Sequence, residues 1–178
     1  ELESLLKLDS HPVAVKMIED ESEIPDHAIR PLRDRGEHLA QCQAFSLTRR
    51  RGETVAMLKE DHWCYAPLIG FGLVEVPEFF KKGGLYHPDL IEDEEVREAL
   101  NKTGTKFLGH FLESPELAED MEFPRFAEGK YIGMLTAPLN ETCFEPDVIF
   151  VYCNNAQLRS VLMAVKYKEG INVKSEFD

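Results

Sequence analysis

The stretch Asp147-Val148-Ile149-Phe150-Val151-Tyr152-Cys153 decides the fold class, together with the residues that follow it. An unbroken apolar run of this length is typical of a central β-strand that is covered on both faces. Asn154 or Asn155 then predicts a helix start, because a short polar side chain there caps free backbone N–H groups. The apolar residues of this helix recur at i, i+3, i+4 and i+7, at Leu158, Val161, Leu162 and Val165.

The chain on either side extends this pattern into alternating elements. Gly170 predicts the end of the helix, and Ile171-Asn172-Val173 predicts a further strand. With a strand predicted at 131–136, these segments form a βαβ-like unit near residues 131–173. Other elements are predicted as strands at 11–18 and 54–58 and as helices at 38–51, 65–73, 92–100 and from Ser114. We therefore expect an α/β or α+β fold, with residues 1–178 forming a single compact domain around a mixed β-sheet and the βαβ-like unit near its C-terminus.

The amino-acid composition and net charge argue against two classes of binding partner. The chain has 178 residues, 43% of them hydrophobic and 30% charged, which is typical of a globular domain. Its 33 acidic residues outnumber 20 Lys and Arg and give a formal net charge of −13. A surface this negative repels nucleic-acid phosphates and anionic lipid headgroups, so we expect neither nucleic acid nor membrane as a partner.

The cellular compartment follows from the cysteines and the ends of the chain. No apolar run approaches the roughly 20 residues that span a bilayer, and residues 1–8 lack the basic start and apolar core of a signal peptide. Four widely spaced cysteines without an export signal predict free thiols in a reducing, cytoplasmic location. The chain begins without Met and stops abruptly after residue 178, so we expect both ends to be incomplete.

The cysteines are the strongest candidates for a metal site. The sequence contains no Cys-x-x-Cys pair, which excludes a zinc ribbon and a ferredoxin-like run. Cys42 lies on a predicted helix facing inward, Cys64 lies in a polar turn after a strand, and Cys153 ends the predicted central strand. Thiolates bind soft metals and iron–sulfur clusters. The alternative for each cysteine is a buried structural thiol.

The segment His62-Trp63-Cys64 adds a second kind of ligand. In an extended backbone, residues two apart face the same side, so His62 and Cys64 could hold one metal ion. A different hypothesis makes His62 the general base and Cys64 the nucleophile, which needs a third group to orient the histidine. A purely structural role is the third interpretation. His38 lies four residues before Cys42, a spacing that also suits two ligands on one helix face.

A site without metal is an open alternative. Trp63, Tyr65, Phe71 and Tyr152 could line a pocket for a small molecule. The turn at Asn154 could offer free backbone N–H groups to an anion. A third alternative is an accessory or scaffold subunit that binds a protein partner, and a homo-oligomer is compatible with the sequence. The sequence leaves open whether the protein is an enzyme.

Three stretches together resemble a known family. They are His11-Pro12-Val13-Ala14-Val15-Lys16, the pair Cys42-Gln43-Ala44 and Glu60-Asp61-His62-Trp63-Cys64, and the set Ala137-Pro138-Leu139, Pro146–Tyr152 and Asn155-Ala156-Gln157-Leu158. In this order they resemble the uncharacterised prokaryotic family DUF169, common in anaerobic archaea and bacteria, from about Leu8 to Val173.

This resemblance bears on the choice of ligands. It implies one cysteine in the first long helix and one before a glycine-containing helix, which match Cys42 and Cys64. We therefore expect a cytoplasmic redox or metallocentre protein of prokaryotic, anaerobic metabolism. Its principal ligands would be Cys42 and Cys64, with Cys153 and His62 as further ligands and an iron–sulfur cluster as the cofactor.

Overall fold

The structure is a computed structural model that describes residues 2–81, 91–102, 124–170 and 173–174. The chain divides into two compact units. One consists of Glu1–Cys64 with Tyr131–Asp178, and the other consists of Tyr65–Lys130. The first unit therefore contains both the cysteines of interest and the stretch from which the fold class was predicted.

A four-stranded sheet forms the centre of the first unit, in the order β2-β3-β1-β4. The strands are β1 (Val13–Ile18), β2 (Val55–Leu58), β3 (Gly133–Pro138) and β4 (Val148–Phe150). All three pairings are antiparallel, with Val15 opposite both Thr136 of β3 and Val148 of β4. Together with the helices, this sheet confirms the predicted class of mixed α and β structure.

The helices begin and end at recognisable signals. The first unit contains α1 (Leu2–Leu6), α2 (Gln41–Arg51) and α6 (Asn155–Glu169), and the second contains α3 (Tyr65–Gly70), α4 (Glu78–Lys81) and α5 (Glu94–Lys102). Asn154 caps α6 as predicted, because its side-chain oxygen accepts hydrogen bonds from the backbone N–H groups of Ala156 and Gln157. Gly170 ends α6 in the left-handed conformation, with φ of 64°, which glycine adopts without steric cost. Among the described residues, no helix combines the length and hydropathy needed to cross a bilayer.

Three short turns shape the loops of the first unit. A 3₁₀ turn spans Glu21–Glu23, a π-helical turn spans Pro31–Arg35 and a second 3₁₀ turn spans Lys59–Asp61. The outer edge of β2 is covered by the segment before the π-helical turn. There Ile29 donates its N–H to the Thr54 carbonyl at 2.9 Å and accepts a hydrogen bond from the Ala56 N–H at 2.9 Å.

The sheet is buried on both faces over β1, β2 and β3. Helix α2 covers one face, where the hydroxyls of Thr48 and Thr136 lie 2.7 Å apart and are fully buried. Residues adjacent along a strand point to opposite faces, so Leu135 faces away from α2. The apolar cluster on that second face consists of Ile18, Ala28, Ala56, Leu58 and Leu135.

The prediction that 147–153 forms a central, doubly covered strand is wrong. Only Val148–Phe150 is a strand, it lies at the edge of the sheet, and its three side chains are 49%, 45% and 38% exposed. An apolar run alone does not distinguish a covered strand from an edge strand, because the pairing order depends on distant segments. The second strand of the βαβ-like unit falls partly on residues 171–172, and the helix predicted from Ser114 falls on residues 103–123; both lie outside the described residues.

The second unit contains a close approach between backbones. Gly72 has φ of 68°, and a Cβ added there would lie 2.6 Å from the Ala127 carbonyl oxygen. The Gly72 carbonyl accepts a hydrogen bond from the Gly129 N–H at 3.0 Å, and the Gly70 carbonyl accepts one from the Phe126 N–H at 2.9 Å. These bonds join the end of α3 to residues 126–129, and only glycine fits at position 72.

The buried Thr48–Thr136 pair gives a test of the packing between α2 and the sheet. Thr136→Val removes one hydroxyl and leaves the other in an apolar environment, so we expect the free energy of unfolding to fall by about 1–3 kcal/mol. The double variant Thr48→Val/Thr136→Val removes both hydroxyls and should be more stable than the single variant. Urea denaturation of the wild type, the single variants Thr136→Val and Thr48→Val, and the double variant measures this. Additive losses in the double variant would contradict the pairing.

Candidate functional site

The start of α2 and the segment after β2 lie side by side. Leu39 donates its N–H to the Asp61 carbonyl at 2.9 Å, and Trp63 donates its N–H to the Leu39 carbonyl at 3.0 Å. These two bonds form a parallel bridge between Leu39 and His62. The bridge brings the first turn of α2, which carries Cys42, next to the segment His62–Cys64. We call this pair of segments, residues 38–42 and 60–64, the α2–β2 ledge.

One buried carboxylate holds the ledge in place. Asp61 is fully buried and accepts hydrogen bonds from the backbone N–H groups of Leu32 and Leu58, each at 2.9 Å. It also accepts one from Nε of Arg30 at 3.0 Å. The same guanidinium donates to the half-exposed carboxylate of Glu60 at 2.6 Å. Charge-assisted bonds of this kind fix the turn from which His62, Trp63 and Cys64 continue.

His62 is the buried titratable group of the ledge, with 7% of its surface exposed. Loss of hydration on burial lowers the pKa of His62, and the negative charge of Asp61 opposes this by raising it. The net shift is downward, so the ring is neutral at pH 7. A neutral imidazole is the form that binds metal ions or accepts a proton.

The four cysteines are all free thiols with unequal access to solvent. Cys42 and Cys143 are exposed, and Cys64 and Cys153 are half-buried. The prediction that Cys42 faces inward is wrong, because α2 turns Ala44 and Thr48 toward the sheet instead. Its exposure makes Cys42 accessible to a ligand from outside.

The remaining predicted residues differ in exposure and are divided between the two units. Trp63 is 63% exposed, and Tyr152 is exposed with the Arg49 guanidinium 4.1 Å from its ring centre. Tyr65 is also exposed, but it begins the second unit, which also contains Phe71. The Asn154 side chain already accepts bonds from two N–H groups at the start of α6, so an anion there would compete with it.

The predicted metal ligands are not gathered into a complete site. Within the described residues, no group of three or more His, Cys, Asp and Glu side chains could hold a metal ion. Cys42, Cys64, Cys153 and His62 are all described, so they do not form such a group. His38, predicted on the same helix face as Cys42, lies before α2 begins, and its Nδ1 lies 2.9 Å from the Glu60 carbonyl oxygen.

Sequence reasoning missed the residues that support the ledge. Arg30 is 31 positions from Asp61, and no spacing rule relates them. Asp61 did carry a local signal, because an aspartate in a tight turn commonly accepts a bond from a nearby backbone N–H, here that of Leu58. The bridge between Leu39 and His62 left no signal in the sequence.

The two carboxylates that share Arg30 give a matched test of the ledge. Asp61→Ala leaves a buried guanidinium and two backbone N–H groups without this acceptor, so we expect a loss of about 3–5 kcal/mol in the free energy of unfolding. Glu60→Ala removes a half-exposed partner of the same arginine, and solvent screening limits its cost to about 1 kcal/mol or less. Urea denaturation compares the two, and equal losses would contradict the assigned role of Asp61.

The lowered pKa of His62 predicts a pH dependence of stability. The unfolded chain binds a proton at this residue below about pH 6.5, whereas the folded chain resists it. Stability from this residue is therefore complete at higher pH and is lost as the pH falls. Between pH 7.5 and 5.5, we expect the wild type to lose about 1 kcal/mol more than His62→Gln loses. The exposed His27 is the control, and the stability of His27→Gln in urea unfolding should depend on pH as that of the wild type does. If the stability of His62→Gln depends on pH as that of the wild type does, the assignment is contradicted.

Among the comparisons with known proteins, the one with family models gives a match. No curated protein and no solved structure matches the chain. The model of DUF169, described as "Uncharacterised ArCR", matches residues 1–178, which is the whole chain. The match includes the ledge cysteines Cys42 and Cys64 and all three stretches that carry the resemblance. The chain therefore belongs to the DUF169 family.

Proposed function

We propose that this protein is a redox or metallocentre protein in which Cys42 and Cys64 bind a thiophilic metal ion or an iron–sulfur cluster. The bridge between Leu39 and His62 carries this proposal, because it brings the two segments that bear these thiols side by side. Both thiols are free, and both are reached by solvent. Thiolates are the ligands that such metals prefer.

The rigidity of the ledge supports the proposal. A metal site gains affinity when its ligands are held in place before the metal binds. Asp61 fixes the turn before His62, and the amide of Gln41 lies 3.9 Å from the Met134 sulfur of the sheet, at the start of α2.

Two protein thiols do not complete a usual coordination shell. Structural zinc sites and common clusters have four protein ligands. The proposal therefore requires the other ligands to come from outside the ledge, as small thiols, as sulfide or from a partner protein. A half-site of this kind suits a protein that carries or transfers its metal, and free thiols suit a cytoplasmic, prokaryotic and anaerobic setting.

A small-molecule site without metal is the second candidate. Trp63 favours it, because a tryptophan that is 63% exposed beside a half-buried thiol offers a flat surface for stacking. On this alternative, the ledge would bind an aromatic or cationic ligand and the cysteines would play no part.

Anaerobic purification followed by an ultraviolet–visible spectrum and by iron, sulfide and zinc analysis tests the first candidate. We expect bound metal in the wild type and a loss of at least about tenfold in both Cys42→Ser and Cys64→Ser, since each removes one of two protein thiolates. Cys143→Ser is the matched control, because Cys143 is an exposed free thiol outside the ledge, and it should retain the metal.

The outcomes separate the two candidates. Colourless, metal-free wild type that takes up neither iron nor zinc on reconstitution would overturn the metallocentre proposal. Circular dichroism of each variant shows whether a loss of metal reflects a loss of fold. Metal that survives both ledge substitutions would place the site elsewhere and would equally contradict the proposal.

A further inference from the structure

One side of helix α6 presents both cationic and apolar side chains to solvent. Arg159, Met163 and Tyr167 follow one another at intervals of four residues and therefore share one side of the helix. Lys166 lies seven residues after Arg159, which places it on the same side. All four are exposed, and the exposed fraction is 58% for Met163 and 94% for Tyr167. We call these four residues the α6 stripe.

The α6 stripe is positively charged, although the protein is strongly acidic. Residues 148–168 contain no Asp or Glu, whereas the whole chain has 33 of them and a formal net charge of −13. Across the described part of the chain, neither Arg159 nor Lys166 has a carboxylate within ion-pairing distance. Several cations elsewhere do pair with carboxylates, namely Lys16, Arg30, Arg33, Arg35, Lys81 and Arg97. The stripe therefore offers two cations to an acidic ligand from outside.

The apolar residues of the stripe indicate that this ligand is itself partly apolar. Met163 lies between Arg159 and Lys166, which are about 10 Å apart along the helix axis at a rise of 1.5 Å per residue. Methionine is flexible and polarisable and adapts to different contact surfaces, and tyrosine combines a large apolar ring with a polar end. Both residue types are enriched in protein–protein interfaces. Their combination with unpaired cations favours a protein segment over a small anion.

We propose that the α6 stripe is the docking site for an acidic, amphipathic helical segment of a different protein. Two carboxylates of this segment pair with Arg159 and Lys166, and an apolar side chain between them contacts Met163. Carboxylates seven residues apart on a helix are about 10 Å apart along its axis, which matches the separation of the two cations. This site is separate from the α2–β2 ledge, so the proposal does not depend on metal binding there.

The charge distribution argues against other occupants. A helix is about 10 Å wide and contacts the stripe alone, whereas an anionic bilayer would extend beyond the stripe and face the acidic remainder of the chain. Two copies that meet through the stripe about a two-fold axis set Arg159 and Lys166 against the same cations. A nucleic acid leaves Met163 and Tyr167 without an apolar contact on its phosphate backbone.

A designed peptide tests the charges of the stripe. The probe is a fluorescent helical peptide of roughly 20 residues, with glutamates seven positions apart and leucines between them. We expect saturable binding to the wild type in fluorescence anisotropy. The affinity should fall by at least about tenfold in Arg159→Glu/Lys166→Glu, because both ion pairs become repulsions. Raising the salt concentration should also weaken binding to the wild type.

A matched variant controls for the change in net charge. Arg50→Glu/Arg51→Glu reverses two exposed arginines at the end of α2 and changes the net charge by the same amount. It should retain the wild-type affinity for the peptide, and a loss equal to that of Arg159→Glu/Lys166→Glu would contradict a site on α6. Circular dichroism of the variants shows whether each of them is folded.

A second peptide tests the apolar contact. It keeps the glutamates and replaces the leucines by serine, so it retains the charges and loses the apolar side chains. We expect it to bind at least about tenfold more weakly, since the contacts with Met163 and Tyr167 are lost. Equal affinities for the two peptides would overturn the proposal of an amphipathic partner.

Three further outcomes would also overturn the proposal. The first is the absence of saturable binding of the leucine-containing peptide at millimolar concentration. The second is binding of the wild type to phosphatidylglycerol vesicles that Arg159→Glu/Lys166→Glu abolishes, which would assign the stripe to a membrane. The third is self-association in sedimentation velocity that the same variant abolishes, which would assign the stripe to a second copy of this chain.

Discussion

The buried carboxylate of Asp61 is the interaction on which the first unit depends. A carboxylate without water must be matched by donors on several sides, and here two backbone N–H groups and one guanidinium supply them. These donors come from the end of β2 and from the π-helical turn with Arg30, the residue directly before it. Satisfying one charge therefore ties the segment 30–32 to the end of β2 and the turn that follows it. Asp61 also positions the candidate site, because His62 follows it directly in the chain.

The parts of the fold that were predictable are those specified by local chemistry. Asn154 and Gly170 indicate the two ends of α6 because capping depends only on neighbouring backbone groups. Pro12 preceded a strand, and Gly52 ended α2. The position of β4 in the sheet was not predictable. The hydrophobicity of a segment indicates that burial would stabilise it, but it does not indicate which strand will be its neighbour.

The candidate site was predictable to a similar extent. The cysteines and histidine of the ledge stand out by residue type, and the segments that carry Cys42 and Cys64 lie side by side. Their support by Arg30 was not visible, since it joins positions 31 apart and depends on the folded chain. The inward orientation expected for Cys42 failed for a related reason. The side of α2 that faces the sheet is decided by where Thr48 meets Thr136, 88 positions away.

The order of strands in the sheet has a consequence for how the chain is made. The two strands nearest the N-terminus, β1 and β2, are not neighbours, because β3 lies between them. As the ribosome releases the chain, β1 and β2 emerge without a partner strand, and neither can enter the sheet until residues 133–138 follow. Closing so long a loop costs entropy before any strand pairing repays it. The nascent chain thus carries two unpaired apolar segments until residues 133–138 have been made, and assembly of the sheet begins with β3.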